Sequence, residues 1–150
     1  MPPKKATTPK IVNVYSLKKV QAHMTKSINP HFKTHQIKVP FRGMIIGSSG
    51  AGKTNLLCNL IAQMPETFNH LYIYTRAREP IYDYLLEELG RDVLTVSYDL
   101  NDLRAFDESQ YYGQSLMIFD DMVNEKNQTC IEEMYIRGRK ISKGISLLYL

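Results

Sequence analysis

Tryptophan is absent from this 150-residue chain, and cysteine occurs only as Cys58 and Cys130. Two cysteines exclude a disulfide framework and offer no metal-site spacing; both fall on apolar faces of expected helices, as packed, reduced thiols do. No apolar run approaches the length that crosses a bilayer, and the charged N-terminus has no hydrophobic segment behind it, so neither secretion nor membrane insertion is expected. His23, His31, His35 and His70 have no helix-spaced partners, so metal ligation by histidine is not expected either. The most telling absence is of acid. Residues 1–42 hold eight Lys and one Arg and no Asp or Glu, a charge of +9. The other 108 residues hold ten Lys/Arg against fifteen Asp/Glu, −5, which leaves a formal net charge of +4. A basic arm on a mildly acidic core suggests a polyanion partner, bound by counterion release from phosphates; a solubilising tail or a targeting signal is the alternative.

What remains is ordinary for one compact domain: 43% hydrophobic and 23% charged residues. The basic arm is assigned to 1–38, with Pro2, Pro3, Pro9 and Pro30 and a polar start, so much of 1–10 is expected to be disordered. Ile11, Val12, Val14 and Tyr15 read as an edge strand or a surface packing segment. The domain proper is assigned to 39–150. Strand-like runs at Met44–Ile46, Leu71–Tyr74, Val93–Val96, Leu116–Phe119 and Ile145–Leu150 alternate with helical spacing. The helical faces are Leu56, Leu57, Leu60, Ile61 and Met64; Ile81, Leu85 and Leu89, flanked by Tyr82 and Leu86; and Cys130, Ile131, Met134 and Tyr135. Gly90 is suited to end the second helix. Residues 99–114 are polar and read as a long connection with one helical turn around Leu103 and Phe106. The expected fold is α/β, a mainly parallel sheet covered by helices on both faces.

Between the first strand and the first long helix lies Gly47-Ser48-Ser49-Gly50-Ala51-Gly52-Lys53-Thr54, a complete GxxxxGK[ST] phosphate loop. A glycine-rich turn from strand to helix aims backbone N–H groups and the positive end of the helix dipole at one point. That point suits the phosphates of a nucleoside triphosphate. Lys53 is expected to reach the β- and γ-phosphates, and the Thr54 hydroxyl to ligate Mg²⁺.

The second feature is Leu116-Met117-Ile118-Phe119-Asp120-Asp121, an apolar strand ending in two carboxylates. In a parallel sheet both this end and the phosphate loop fall on the rim where ligands collect. Asp120 is expected to hold Mg²⁺ opposite Thr54, and Asp121 to orient and deprotonate a water attacking the γ-phosphate. The third feature is Arg137, Arg139 and Lys140 after the last helix. They are expected on the nucleotide's rim or in a neighbouring subunit's site, where an arginine finger stabilises transition-state charge. DNA-backbone contact and a plain basic turn are the alternatives.

The order Gly47–Thr54, Leu116–Asp121, then Tyr135-Ile136-Arg137-Gly138-Arg139-Lys140 running into Gly144–Leu150 resembles the DNA-packaging ATPases of nucleocytoplasmic large DNA viruses and related mobile elements, in the FtsK/HerA superfamily of DNA-pumping motors. The resemblance covers roughly residues 36–150. It implies a three-layer P-loop NTPase of the additional-strand catalytic-acid type, with ATP and Mg²⁺ as ligands and Lys53, Asp121, Arg137 and Arg139 as catalytic residues. It implies double-stranded DNA as partner, a homo-oligomeric ring, and contact with capsid or portal-like proteins in the host cytoplasm or a viral factory. In that family a polar residue, usually Gln, follows the last strand, whereas this sequence stops at Leu150, so a fragment or truncated form is expected. Lys140 stands where relatives tend to carry His. A nucleotide or nucleoside kinase, or a non-hydrolysing nucleotide- and DNA-binding module, are the competing readings.

Overall fold

The computed structural model describes residues 13–22, 26–104, 113–126, 128–138 and 144–150. Five strands, β1 (Arg42–Met44), β2 (His70–Thr75), β3 (Leu94–Ser97), β4 (Ser115–Asp120) and β5 (Ile145–Tyr149), form one sheet in the order β1-β5-β4-β2-β3. Every pairing is parallel. Strand ends therefore share one rim and strand starts the other. The connecting helices are α3 (Lys53–Ala62), α4 (Pro80–Leu89), the single turn α5 (Asn101–Arg104) and α6 (Thr129–Arg137), with short α1 (Lys18–Gln21) and α2 (Phe32–His35) upstream. Among the described residues no helix is long and apolar enough to cross a membrane.

Strands β2 and β4 are buried along all six residues, which is why they read as unbroken apolar runs. Alternate side chains divide between two layers. Tyr72, Tyr74, Met117, Phe119 and Leu147 pack on Leu103 of α5 and on Ile131 and Met134 of α6. Leu71, Ile73, Leu116, Ile118 and Leu148 pack on Leu57 of α3 and Tyr82 of α4. The result is the expected three-layer α/β arrangement, with β4 at its centre.

Three expectations need correction. The first strand is Arg42–Met44, not Met44–Ile46; Arg42 and Gly43 are half-buried, while Met44 is 64% and Ile46, beyond the strand, 87% exposed. β1 pairs only with β5 among the described residues, and the chain leaves it to build the phosphate loop; the Ile45 N–H makes the last bond, to the Tyr149 carbonyl at 2.8 Å. On α3, Leu56 is 54% exposed, because the 3.6-residue period turns Leu57, Leu60 and Ile61 inward and carries Leu56 off that face. Val14 and Tyr15 form no edge strand but an exposed 3₁₀ turn. The Asn13 side chain accepts the Tyr15 N–H at 3.1 Å, and the Ser16 hydroxyl donates to the Asn13 carbonyl at 2.7 Å. Such local bonds compete with strand pairing. Ile11, Val12 and Phe106 lie outside the described residues.

Part of the basic arm is fastened to the sheet. Gln114, 1% exposed just before β4, accepts the Ile28 N–H at 3.0 Å and donates to the Ile28 carbonyl at 2.6 Å. The chain is therefore tied to the domain upstream of the 38/39 boundary. Arg42 ties the same rim together: its guanidinium donates to the carbonyls of Tyr135 (3.2 Å), Phe41 (2.9 Å) and Ile145 (2.6 Å).

The two faces of the sheet and the outward position of Leu56 make a stability prediction. Phe119→Ala should lower unfolding free energy in urea by about 3–5 kcal/mol, the usual cost of emptying an aromatic core site. Leu56→Ala should stay within about 0.5 kcal/mol. Similar losses at both positions would contradict this assignment of faces.

Candidate nucleotide site

The phosphate loop has the backbone its glycines permit. Gly50 and Gly52 hold φ of +75° and +83°, conformations that cost an L side chain about 1–2 kcal/mol. Gly52 caps α3 with no side-chain acceptor on the helix's first N–H groups. Those donors and the helix dipole face the loop. Lys53, the first residue of α3, folds back so that its Nζ donates to the Gly47 carbonyl at 3.4 Å, a long bond readily exchanged for a stronger acceptor.

Strand β4 delivers the acids to the same rim. Asp120 is its last residue, 4% exposed, and Asp121 follows with φ of +54°, turning the chain sharply off the strand end. A left-handed aspartate is uncommon and strained, a state that clusters at functional sites. A cavity of about 730 Å³ joins the parts: Gly47, Ser49, Gly50, Gly52, Lys53 and Thr54 form one wall, Asp120 and Asp121 another. Ser48 and Ala51 are not part of its lining; the Ser48 carbonyl accepts the Ala51 N–H at 3.1 Å and closes the loop's turn. The Thr54 hydroxyl and the Asp120 carboxylate are oxygen donors of the kind a hard divalent cation takes.

Arg137 is not on this rim. Helix α6 runs back against the strands, and the carbonyl of Gly138, the next residue, accepts the N–H of Ile145 at the start of β5 at 2.8 Å. From there to Tyr149 the strand rises ~13 Å. Of the two placements expected for Arg137, the rim of its own subunit's candidate site is therefore corrected: the length of the strands separates the two. Arg139 and Lys140 lie outside the described residues.

The sequence profile of the family described as Poxvirus A32 protein matches residues 29–150. The chain belongs to the poxvirus A32 protein family. It is 27% identical over 128 residues to DNA packaging protein OPG160 of Variola virus, covering 75% of this chain and 46% of that protein. Identity is also 27%, over 126 residues each, to DNA packaging protein OPG160 of Vaccinia virus strain Copenhagen and of Monkeypox virus, covering 75% of this chain and 46% and 42% of theirs. The chain thus spans less than half the length of these relatives. No solved structure matches it.

Two residues of this A32-family chain border or brace the cavity without belonging to any motif read from the sequence. Glu79, at the N-cap of α4, lines it. The ion pairs on either side, Arg76–Glu125 and Arg78–Asp83, both at 3.1 Å, leave Glu79 out. Among the described residues the lining therefore carries three carboxylates, Glu79, Asp120 and Asp121, against one cationic side chain, Lys53. Tyr82, one turn further along α4 and wholly buried, donates its hydroxyl to Asp120 Oδ2. Burial first, then that hydrogen bond, push its pKa well above the ordinary tyrosine value, so it remains a donor throughout the neutral range. A tyrosine on an apolar helix face and an aspartate closing a buried strand each call for a polar partner. That shared need was the one sequence-level signal of their meeting.

Proposed function

We propose that this chain carries the nucleotide site of a viral DNA-packaging motor, which hydrolyses ATP to translocate double-stranded DNA. The observation that carries the reading is the single cavity lined by the phosphate loop and by Asp120 and Asp121. The names of the A32-family relatives support packaging as the process. The position of β5 between β1 and β4 supports an additional-strand P-loop NTPase of the FtsK/HerA kind.

Residues Gly47 to Thr54 hold the triphosphate, with Lys53 on its β- and γ-oxygens. Thr54 and Asp120 hold Mg²⁺, which when bound neutralises charge on those oxygens. Asp121 orients the attacking water and takes its proton. With three carboxylates and one lysine among the described lining residues, a polyanion bound with Mg²⁺ still calls for further positive charge as it is cleaved. Arg137 or Arg139 of a neighbouring copy supplies it. In a closed head-to-tail ring, the surface that serves a neighbour lies away from the subunit's own site, as the strand-start rim does. The lysine-rich arm, docked at that rim through Ile28, contacts DNA phosphates. Capsid or portal-like proteins are its further partners, and the host cytoplasm or viral factory is its place of action.

Steady-state ATP hydrolysis with and without double-stranded DNA tests the reading. DNA should stimulate turnover, and Lys53→Ala should cut it about 10²–10³-fold, the scale of losing one transition-state donor. Tight Mg·ATP binding without turnover would favour the non-hydrolysing module instead. The trans assignment has its own test in complementation. Lys53→Ala subunits and Arg137→Ala/Arg139→Ala subunits, each inactive alone, should regain hydrolysis when co-assembled. A mixture as inactive as its components would put the finger elsewhere.

A further inference from the structure

Asp120 closes a strand buried along its whole length, and its own side chain is nearly sealed. The last torsion of an aspartate, between Cβ and the carboxylate, is broad and roughly two-fold, so nothing intrinsic fixes the plane of its oxygens. A Mg²⁺ ligand needs that plane fixed, because Mg²⁺ demands near-ideal octahedral geometry. Among the described residues the restraint from the protein side is the Tyr82 hydroxyl, donated to Oδ2. Tyr82 comes from α4, on the face of the sheet occupied by Leu57, Leu71 and Ile118. The ring fills that apolar layer as a phenylalanine would. The hydroxyl adds nothing to packing there; its contribution is the bond to Asp120.

We propose that Tyr82 is a positioning residue for the metal ligand Asp120, holding one carboxylate oxygen from the core side and so presenting the carboxylate to a divalent cation in the cavity. This rests on the nucleotide-site reading. Outer-shell hydrogen bonds of this kind orient ligating carboxylates in metal sites generally, and their loss typically costs about 10–100-fold in affinity. Through Tyr82 the helix that also carries Glu79 becomes mechanically part of the metal site. Such a role differs from support of the fold, because it acts on metal affinity and leaves the phosphate loop's own grip on nucleotide untouched.

The test uses the full chain, Mn²⁺ as a paramagnetic stand-in for Mg²⁺, and ADP. Wild type and Tyr82→Phe are compared for Mn²⁺·ADP affinity by electron paramagnetic resonance and for metal-free ADP affinity in the presence of a chelator. The expected result is an affinity for Mn²⁺·ADP at least about tenfold weaker in Tyr82→Phe, with metal-free ADP binding unchanged. Equal Mn²⁺·ADP affinity in the two proteins overturns the proposal. Equal losses with and without metal also overturn it, since they mark general damage to the site. A wild type that binds ADP in neither condition overturns the nucleotide reading itself. Should Tyr82→Phe fail to fold, 3-fluorotyrosine placed at Tyr82 keeps both ring and hydroxyl. Its fluorine resonance should broaden strongly on saturation with Mn²⁺·ADP, and a line that stays sharp would overturn the proposal.

Discussion

Asp120 is a carboxylate almost out of water, fixed at the end of the strand that lies at the centre of the sheet. A carboxylate in that position is tolerated only where hydrogen bonds and a favourable field replace its hydration. The Tyr82 hydroxyl provides the hydrogen bond from one side. The cavity, with Lys53 and the uncapped start of α3 across it, provides the favourable field from the other. Much of the molecule follows from holding that one group in place. β2 and β4 must be buried on both faces to fix the strand end, α4 must deliver a tyrosine to the same depth, and the chain must turn at once through Asp121.

The all-parallel sheet then imposes a polarity. Strand ends carry the phosphate loop and all three acids of the cavity. Strand starts carry the Arg42 clamp, the docked part of the lysine-rich arm and the end of α6 with Arg137. Apart from Lys53 in the cavity, and Arg76 and Arg78 with their own acidic partners beside it, Arg42 and Arg137 lie a strand's length from the three acids. On the proposed reading, this separation is what makes assembly and catalysis one problem.

Legibility in the sequence followed the range of the interactions. The phosphate loop is read directly because its constraints are local: glycines where φ is positive and a lysine at the first turn of the helix. β4 is equally plain, since burial on both faces leaves four consecutive apolar residues, Leu116–Phe119, with no polar alternation before Asp120. β1 is displaced by two residues from its apolar run because an edge strand is restrained on one side only, and Met44 at its end and Ile46 beyond it point to no core. The anchoring of Ile28 on Gln114 joins residues 86 apart through an amide side chain, which leaves no periodicity to detect. The Tyr82–Asp120 bond spans 38 residues and likewise leaves no periodicity; only the need of each buried group for a polar partner hints at it. The placement of Arg137 was available in principle: a helix linking two parallel strands must run back, so its last turn falls at the strand starts.

The central claim is that the loop, Asp120 and Asp121 serve one ligand at one rim. Amide resonances of the isotopically labelled chain, titrated with Mg²⁺ and a non-hydrolysable ATP analogue, test it most directly. Saturable shifts are expected at one ligand per chain, largest from Ser49 to Thr54 and at Asp121, with Glu79 following. Arg42, Gly138 and Ile145, on the opposite rim, should stay still. Shifts in the loop that leave Asp121 unmoved, or no saturable change at the loop, would contradict it.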